Sequence, residues 1–459
     1  MNLMGKHLHF VGIGGISLSG LAKISLKLGA KVSGSDISCS YETQLLETLG
    51  VKIFYQHEAD NVNGADVVVF SSAISIDNPE LLRAQELKIK ILKRAEFLAI
   101  IAKMFKVVIA IAGSHGKTTT TAMIASLLID AKLNPTVHLG GEFPKIHGNI
   151  NLGDEEFFIT EACEYKDNFL YLKPNISICL NVDVDHLDYF KTFSNIQSSF
   201  KKFINKNKNG TIIVNYDDSF LRQNKSSYNY SINTASMVRA INIKEYLPGK
   251  FAFDCLFDEG LIEGFKLNVY GFHNIYNALA TIIVGRVLNI KSRVIVNSVN
   301  SFSGVTRRFE EKGKINGCPI IIDYAHHPKE INASIESAKK ISNKVVAIFQ
   351  PHTYSRTQAL ADDFASVLGQ ADEVAIYKIY PAREVELSGV NANFLSQKVN
   401  EISNDKCKNH SKSSSIETEQ ELMDYIVTKA SPESVILLLG AGDIVDVCDR
   451  LPFDQIVKL

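Results

Sequence analysis

The chain has 459 residues, 49 Lys and Arg against 50 Asp and Glu, and 46% apolar residues. That length calls for two or three domains, and the near-zero net charge argues against nucleic acid or an anionic membrane surface as a partner. The longest apolar runs, such as Val435–Leu439, are strand-sized and far short of a bilayer span, so no membrane insertion is expected. Met1–Phe10 has no secretory pattern, and the seven Cys are scattered without Cys-x-x-Cys pairs. Both features suit free thiols in a reducing compartment, and a cytoplasmic location is expected.

Leu8–Val11 reads as a strand entering the turn Gly12-Ile13-Gly14-Gly15, with a helix running on through Leu28. A second strand, Lys31–Ser35, ends at Asp36. An acid about twenty residues beyond a glycine turn is the dinucleotide-binding layout, in which the helix start takes a diphosphate and the acid bonds a ribose. A ligand-free βα turn and a nicotinamide cofactor are the alternatives. Strands follow at Val51–Phe54 and Asp66–Ser71, the last leading into Ser72 and Ala73.

A second segment starts near Lys103. Val107–Ile111 feeds Ala112-Gly113-Ser114-His115-Gly116-Lys117-Thr118-Thr119, with a helix expected from Lys117. Backbone N–H groups of such a turn cradle phosphate, the lysine reaches the β- and γ-phosphates, and the Thr118 hydroxyl suits Mg²⁺. Ile111 stands where the general phosphate loop has its first glycine, so this loop is a shortened subtype. Phe157–Thr160 ends in Glu161, and the strand Asn175–Asn181 precedes Asp183, Asp185 and His186. Polar groups past the ends of parallel strands lie where α/β sites form, which makes Glu161 and His186 candidates for the nucleotide metal. The acids could instead cap the helices that follow. Asn274 and Asn277, three apart at the start of an apolar helix through Leu288, share a face and act either as caps or as contacts to an adenine or ribose edge.

In a third segment Pro319–Ile322 ends at Asp323, ahead of Tyr324-Ala325-His326-His327-Pro328. Val345–Phe349 runs into Gln350-Pro351-His352-Thr353-Tyr354-Ser355-Arg356, and Val435–Leu439 into Gly440-Ala441-Gly442-Asp443. No role is assigned to His326 or His327. Glu401–Glu417, rich in Lys, Asn and Ser, reads as a solvated loop. The expected architecture is α/β in three domains: 1–102 Rossmann-like, 103–304 a central P-loop-type ATPase domain, and 305–459 again Rossmann-like. Two anion sites on separate domains suit a reaction that joins two substrates with ATP.

These motifs together resemble the Mur ligase family over essentially the whole chain. The resemblance rests on Gly12–Gly15, Gly34-Ser35-Asp36, Ala112–Thr120, Glu161-Ala162-Cys163-Glu164-Tyr165, Asp185–Asp188, His273-Asn274 with Asn277, Arg307-Arg308-Phe309, Asp323–Pro328, Gln350–Thr357 and Gly440–Ile444, in family order. It implies that ATP phosphorylates the lactyl carboxylate of UDP-N-acetylmuramate and that the amine of L-alanine attacks the acyl phosphate, in peptidoglycan precursor synthesis. Two anions must meet, so Mg²⁺ and a lysine are required.

By the same resemblance Lys117 bridges the β- and γ-phosphates, Thr118 and Glu161 hold Mg²⁺, and His186 holds a second metal. Asn274, Asn277 and Arg308 lie on the nucleotide side, and Asp323 meets the ATP ribose. Gly12, Gly14, Gly15, Asp36, Ser71 and Ser72 take the UDP moiety. His352 and Arg356 form the amino-acid pocket, the guanidinium matching a carboxylate. A monomer or homodimer is expected. Some relatives use a carbamylated lysine at the position that is Phe200 here, with Lys201 next, which agrees with the alanine-adding branch. Ser114 stands where many relatives have Thr and keeps the hydroxyl, while Thr353 replaces a basic residue of some relatives and shifts recognition towards Arg356. The rival readings are a recycling ligase that attaches a tripeptide to the same sugar nucleotide, an NAD-dependent oxidoreductase, and a P-loop switch or motor ATPase. The oxidoreductase leaves Gly113–Thr118 without a purpose, and the motor does the same for Gly12–Gly15.

Overall fold

A computed structural model describes residues 2–71, 73–207, 209–382, 384–404 and 413–454. Contacts divide the chain into two compact units: Met1–Ile243 with Phe253–Lys266 and Ile275–Val305, and Lys244–Ala252 with Leu267–Asn274 and Thr306–Leu459.

The first unit opens with a parallel sheet in the order Lys52–Phe54, Lys31–Ser35, His7–Val11, Val67–Phe70, Lys90–Lys93. Its central strands are covered on both faces, with Leu8, Phe10, Val11, Val32 and Val67–Val69 buried in them. The polar exceptions form one bonded network around the buried Glu80. Ser35 Oγ donates to Glu80 Oε2 at 2.6 Å, Asn61 Nδ2 donates to Oε1 at 2.8 Å, and His57 and His9 ring nitrogens lie at 2.9 and 3.3 Å. Burial pushes the Glu80 carboxyl up, but the bonds from His9, Ser35, Asn61 and His57 outweigh it and hold the group below its ordinary value. A buried carboxylate is tolerable here because its oxygens are satisfied.

A second sheet of ten strands contains Pro135–Phe143, Asp154–Glu161, Val107–Ala112, Ile176–Cys179 and Thr211–Asn215 as parallel neighbours in that order. The helix Lys117–Asp130 is buried almost all round from Thr120 to Leu128, which explains its lack of an amphipathic stripe. One apolar cluster runs from Leu8, Phe10 and Leu21 to Val108, Phe158 and Phe200, so the first two sheets share a core.

The second unit carries a six-stranded sheet ordered Glu310–Ile315, Cys318–Asp323, Ser434–Leu439, Lys344–Phe349, Glu373–Tyr377, Ser413–Ile416, antiparallel only at its first pair. Ser434–Leu439, late in the chain, sits between two earlier strands, and a strand-order reversal of this kind opens a crevice at the carboxyl edge. The expected loop 401–417 is corrected in part. Residues 401–404 finish the helix Ala392–Asn404, Ser413–Ile416 is an edge strand, and 405–412 lie outside the described residues. Composition hid the strand because an edge pairs on one side only and needs just Ile416 in the core. A side-chain clamp holds it: Asn400 Nδ2 donates to Ser413 O at 3.0 Å and Asn400 Oδ1 accepts from Ser413 N–H at 2.8 Å.

At Gly34 an added Cβ would stand 2.6 Å from both Phe10 O and Ile13 Cδ1. Gly34→Ala is expected to cost about 1–3 kcal/mol, seen as a lower Tm in a thermal scan. An unchanged Tm would contradict the close approach.

Candidate active site

The strand Val107–Ala112 meets the helix Lys117–Asp130 through a loop whose Gly116 has φ 83°, a left-handed conformation that favours glycine. An added Cβ there would stand 2.8 Å from Asn277 Oδ1. The loop is held from the neighbouring strand. Ser114 N–H donates to Asn181 O at 3.2 Å, His115 N–H donates to Asn181 Oδ1 at 2.8 Å, and Asn181 Nδ2 donates back to His115 O at 3.1 Å. Ser114 Oγ accepts from Asp183 N–H at 2.8 Å. The sequence reading names Asn181 only as the end of a strand and gives it no role at the site. Only the pairing of Ile176–Cys179 with Val107–Ala112 reveals that it lies beside the loop.

Lys117 Nζ donates to Gly113 O at 2.5 Å and pairs with Glu164 Oε1 at 2.9 Å. Burial pulls its ammonium down, yet Glu164 more than offsets that, so Lys117 sits above its ordinary value and stays charged. Glu164, which the sequence reading quotes within Glu161–Tyr165 but gives no role, is 1% exposed. Its Oε2 has no partner among the described residues. The signal available was its place three residues after Glu161 in a run of acids beyond a strand end.

The other expected residues of this unit fall as follows. Glu161 ends the strand Asp154–Glu161 and accepts from Gly140 N–H at 2.7 Å, while Thr118 is buried with its methyl 3.3 Å from where a Cβ on Gly141 would stand. His186 has φ 53° and caps the short helix Leu187–Phe190, its ring 4.7 Å from that of Tyr165. Ligand atoms of His186, Asp185 and Glu164 lie within 4.8 Å of one another, and Glu161 lies outside this group. Asn277 accepts from Thr120 Oγ1 at 3.1 Å and so braces the loop helix. Thr119 is the third residue of that helix. Phe200 is fully buried, its ring 5.2 Å from that of Phe169, so this position is core; Lys201 is exposed.

The N-terminal glycine turn satisfies itself. The N–H groups of Gly12 and Ile13 donate to Ser35 O at 2.8 and 3.0 Å, that of Gly14 donates to Asp36 Oδ2 at 2.9 Å, and that of Gly15 to Gly12 O at 3.3 Å. Asp36 Oδ1 accepts from the Ser38 N–H and hydroxyl at 3.2 Å. Ser71 Oγ accepts from Ala73 N–H at 3.3 Å, and Ser72 lies outside the described residues.

In the second unit Asp323 ends its strand and accepts from Ser334 Oγ at 2.5 Å. Burial pushes its carboxyl up to about 6, against the pull of Arg308. The guanidinium groups of Arg307 and Arg308 each lie 5.1 Å from the Tyr324 ring centre, and Arg307 Nη2 donates to Gly442 O at 2.7 Å. Asn274 Nδ2 donates to Tyr270 O at 2.7 Å. His352 lies 5.7 Å from Tyr380 ring to ring, 6.0 Å from His326, and 3.5 Å from Arg356 Nη1. His326 therefore belongs to the cluster. Burial, then Arg356, pushes His352 down to about 4, so its ring is neutral at physiological pH. A cavity of about 500 Å³ opens at this sheet edge, lined by Gln350, Tyr354, Lys378, Tyr380 and Asp443 among others.

The chain thus carries a phosphate loop with a charged lysine, strand-end acids and a second α/β unit with its own Arg–His cluster. Three family models match in succession: "Mur ligase family, catalytic domain" over residues 7–106, "Mur ligase middle domain" over 111–285, and "Mur ligase, glutamate ligase domain" over 307–442. The chain belongs to the Mur ligase family. It is 42% identical over 449 residues to a UDP-N-acetylmuramate–L-alanine ligase of Clostridium botulinum, covering 96% of each chain. It is 43% identical over 453 residues to the protein of that name from Alkaliphilus metalliredigens, covering 97% of each. The crystal structure of the UDP-N-acetylmuramate-alanine ligase MurC from Thermotoga maritima matches with a TM-score of 0.81 at 29% identity over 97% of both chains. A murein peptide ligase from Psychrobacter arcticus shares the fold, with a TM-score of 0.70 at 23% identity over 97% of this chain and 98% of that one. Membership of this ligase family brings ATP use with it. Among the described residues no helix is long and apolar enough to cross a membrane.

Glu164→Gln keeps the shape and removes the charge that faces Lys117. Steady-state phosphate release should show kcat lower by on the order of 10²-fold; an unaltered kcat would separate the ion pair from turnover. His352 has a folded value below its unfolded one, so the unfolded chain takes the proton first and stability falls as pH drops from the ordinary histidine range towards 4. His352→Asn should make the Tm of the chain less sensitive to pH between about 6.5 and 4.5; an identical pH profile in the variant would contradict this.

Proposed function

We propose that this chain joins L-alanine to the lactyl carboxylate of UDP-N-acetylmuramate while ATP becomes ADP and phosphate, a step of peptidoglycan precursor synthesis. The observation that carries the reading is the end-to-end similarity, 42% identical over 96% of the chain, to ligases named for that reaction. The phosphate loop with its charged Lys117 supports it independently.

The chemistry follows from charge. A carboxylate oxygen must approach the γ-phosphorus, and both partners are anionic. As the new P–O bond forms, the bond to ADP breaks, and Lys117 offsets the charge that builds on the phosphate oxygens. The loop Gly113–Gly116 and Thr118–Thr119 hold the phosphates, with Asn274, Asn277, Arg308 and Asp323 on the nucleoside side. The amine of L-alanine then attacks the acyl carbon and loses a proton, and phosphate departs with the C–O electron pair. Arg356, beside the neutral His352, takes the alanine carboxylate as a planar two-point donor. Gly12, Gly14, Gly15, Asp36, Ser71 and Ser72 take the UDP end.

Two donor sets suit Mg²⁺: Thr118 with Glu161, and His186 with Asp185 and Glu164. The second fits a cation because Glu164 Oε2 is buried with no partner among the described residues, and oxygen and imidazole donors suit a divalent ion. Mg²⁺ held by these residues would supply positive charge that offsets the two anions. The substrates and the free cysteines fit a cytoplasmic enzyme.

Phosphate release from ATP should require UDP-N-acetylmuramate and L-alanine together. Equal release with ATP alone would sink the ligase reading, and turnover with a tripeptide in place of L-alanine would move it to the recycling reaction. Lys117→Ala should abolish turnover with an unchanged circular dichroism spectrum; retained kcat would place the chemistry elsewhere.

A further inference from the structure

The turn that carries Arg356 does not cap itself. After the strand Lys344–Phe349 the chain reaches the short helix Tyr354–Ala359 through Thr353, which stands at the N-terminal cap. Thr353 makes no cap with its own side chain, and its φ is 68° with ψ 145°. A β-branched residue at positive φ is strained, and such a conformation persists only where the surroundings over-determine it. The leading N–H groups of the helix also need acceptors from elsewhere.

The missing acceptor is Glu384, which lies beyond the next strand, Glu373–Tyr377. Glu384 Oε2 accepts from Ser355 N–H at 2.8 Å, and Oε1 accepts from the Ser355 hydroxyl. Burial pushes the Glu384 carboxyl up, but the bonds from Ser355, Thr353 and Tyr354 outweigh it and hold the group below its ordinary value. A charged acceptor shared by three consecutive residues at a helix start replaces the cap that Thr353 does not make. With both oxygens turned to Ser355, Glu384 forms no ion pair with Arg356 among the described residues, and the guanidinium keeps its charge for a ligand.

The loop that brings Glu384 is tied to the same turn. Thr353 N–H donates to Tyr380 O at 2.9 Å, and Tyr380 N–H donates to Pro351 O at 2.9 Å, a parallel bridge between His352 and Tyr380. Glu384 N–H donates to Pro381 O at 2.9 Å and closes the loop on itself. An added Cβ on Gly442 would stand 2.7 Å from Tyr380 Cβ, so the wall behind the loop is close-packed. Arg356 follows Ser355 directly, and its Nη1 stands 3.5 Å from His352 Nδ1. A shift of Ser355 therefore carries the Arg356 backbone with it.

We propose that Glu384 is a positioning residue for the amino-acid substrate: it braces the strained turn Thr353–Ser355 and so fixes the Arg356 guanidinium where a carboxylate docks. The assignment rests on the reading of Arg356 as the partner of the L-alanine carboxylate. A planar two-point donor held in one orientation has little rotamer freedom left to lose when the carboxylate binds. Glu384 acts through Ser355 and Arg356 rather than on the substrate, so its loss weakens L-alanine binding and leaves the phosphate loop of the other unit as it was.

The test is steady-state phosphate release by the full chain, with KM measured for each of the three substrates, in wild type, Glu384→Ala, Glu384→Gln, Ser355→Ala and the double variant of Glu384→Ala with Ser355→Ala. Glu384→Ala should raise the KM for L-alanine by about 10-fold, with kcat at saturation and the KM values for ATP and UDP-N-acetylmuramate little changed. Glu384→Gln keeps an acceptor for the Ser355 N–H and should recover most of the loss. Ser355→Ala should raise the KM for L-alanine by itself but add nothing to Glu384→Ala, because the hydroxyl acts through that carboxylate. Ser355 is exposed, and its variant decides the matter if Glu384→Ala does not fold: an unchanged KM for L-alanine there would overturn the assignment. An unchanged KM for L-alanine in a folded Glu384→Ala, an equal rise in all three KM values, or additive effects in the double variant would overturn it too and leave the ligase reading intact. Wild-type phosphate release that does not depend on L-alanine would instead overturn the reading of Arg356, and this assignment with it.

Discussion

The ion pair between Lys117 and Glu164 is the interaction on which the candidate site depends. Burial pulls the ammonium of a lysine folded back on its own loop carbonyls towards the neutral amine, and a neutral amine cannot steer a phosphate. Glu164 keeps the charge in place at 2.9 Å, and its own second oxygen is left without a partner among the described residues. A buried pair of this kind is weak evidence for stability and better evidence for a task. The polarity that Glu164 retains is available to a cation grouped with Asp185 and His186.

That pair works only because the loop around it is rigid. Asn181 fastens the Ser114 and His115 amides, Asp183 fastens the Ser114 hydroxyl, and Asn277 packs against the Gly116 backbone and takes a bond from Thr120. These residues come from two stretches of chain: Asn181 and Asp183 follow the strand Ile176–Cys179, which pairs with Val107–Ala112, and Asn277 lies on the helix His273–Val287. The same logic governs the N-terminal turn. There the backbone donors of Gly12–Gly15 are spent on Ser35 O, Asp36 and Gly12 O, which hold the turn itself. In the second unit burial does the tuning: it leaves His352 neutral beside a charged Arg356 and raises Asp323.

Much of this was legible in the order of residues. Strand, glycine and helix periodicities are local properties, so the βα units at Gly12 and at Gly113 and the strand ends at Glu161 and Asp323 could be read directly. The edge strand Ser413–Ile416 could not, since its pairing with Glu373–Tyr377 rather than its composition makes it a strand. Glu164 and Asn181 could not be assigned a role either. An acid and an amide are ordinary surface residues until the sheet order places them beside a loop.

The sequence by itself determined the family, the α/β class and the use of ATP, because glycine spacing and the Lys-Thr pair express backbone geometry that needs no distant contact. Tertiary structure alone decided which carboxylate faces Lys117, that Asp36 is committed to the turn, and that Asn181 fastens the phosphate loop. Those outcomes depend on pairings between segments tens of residues apart. Charge state and hydrogen-bond commitment follow from what a side chain is buried against, and no local pattern encodes that.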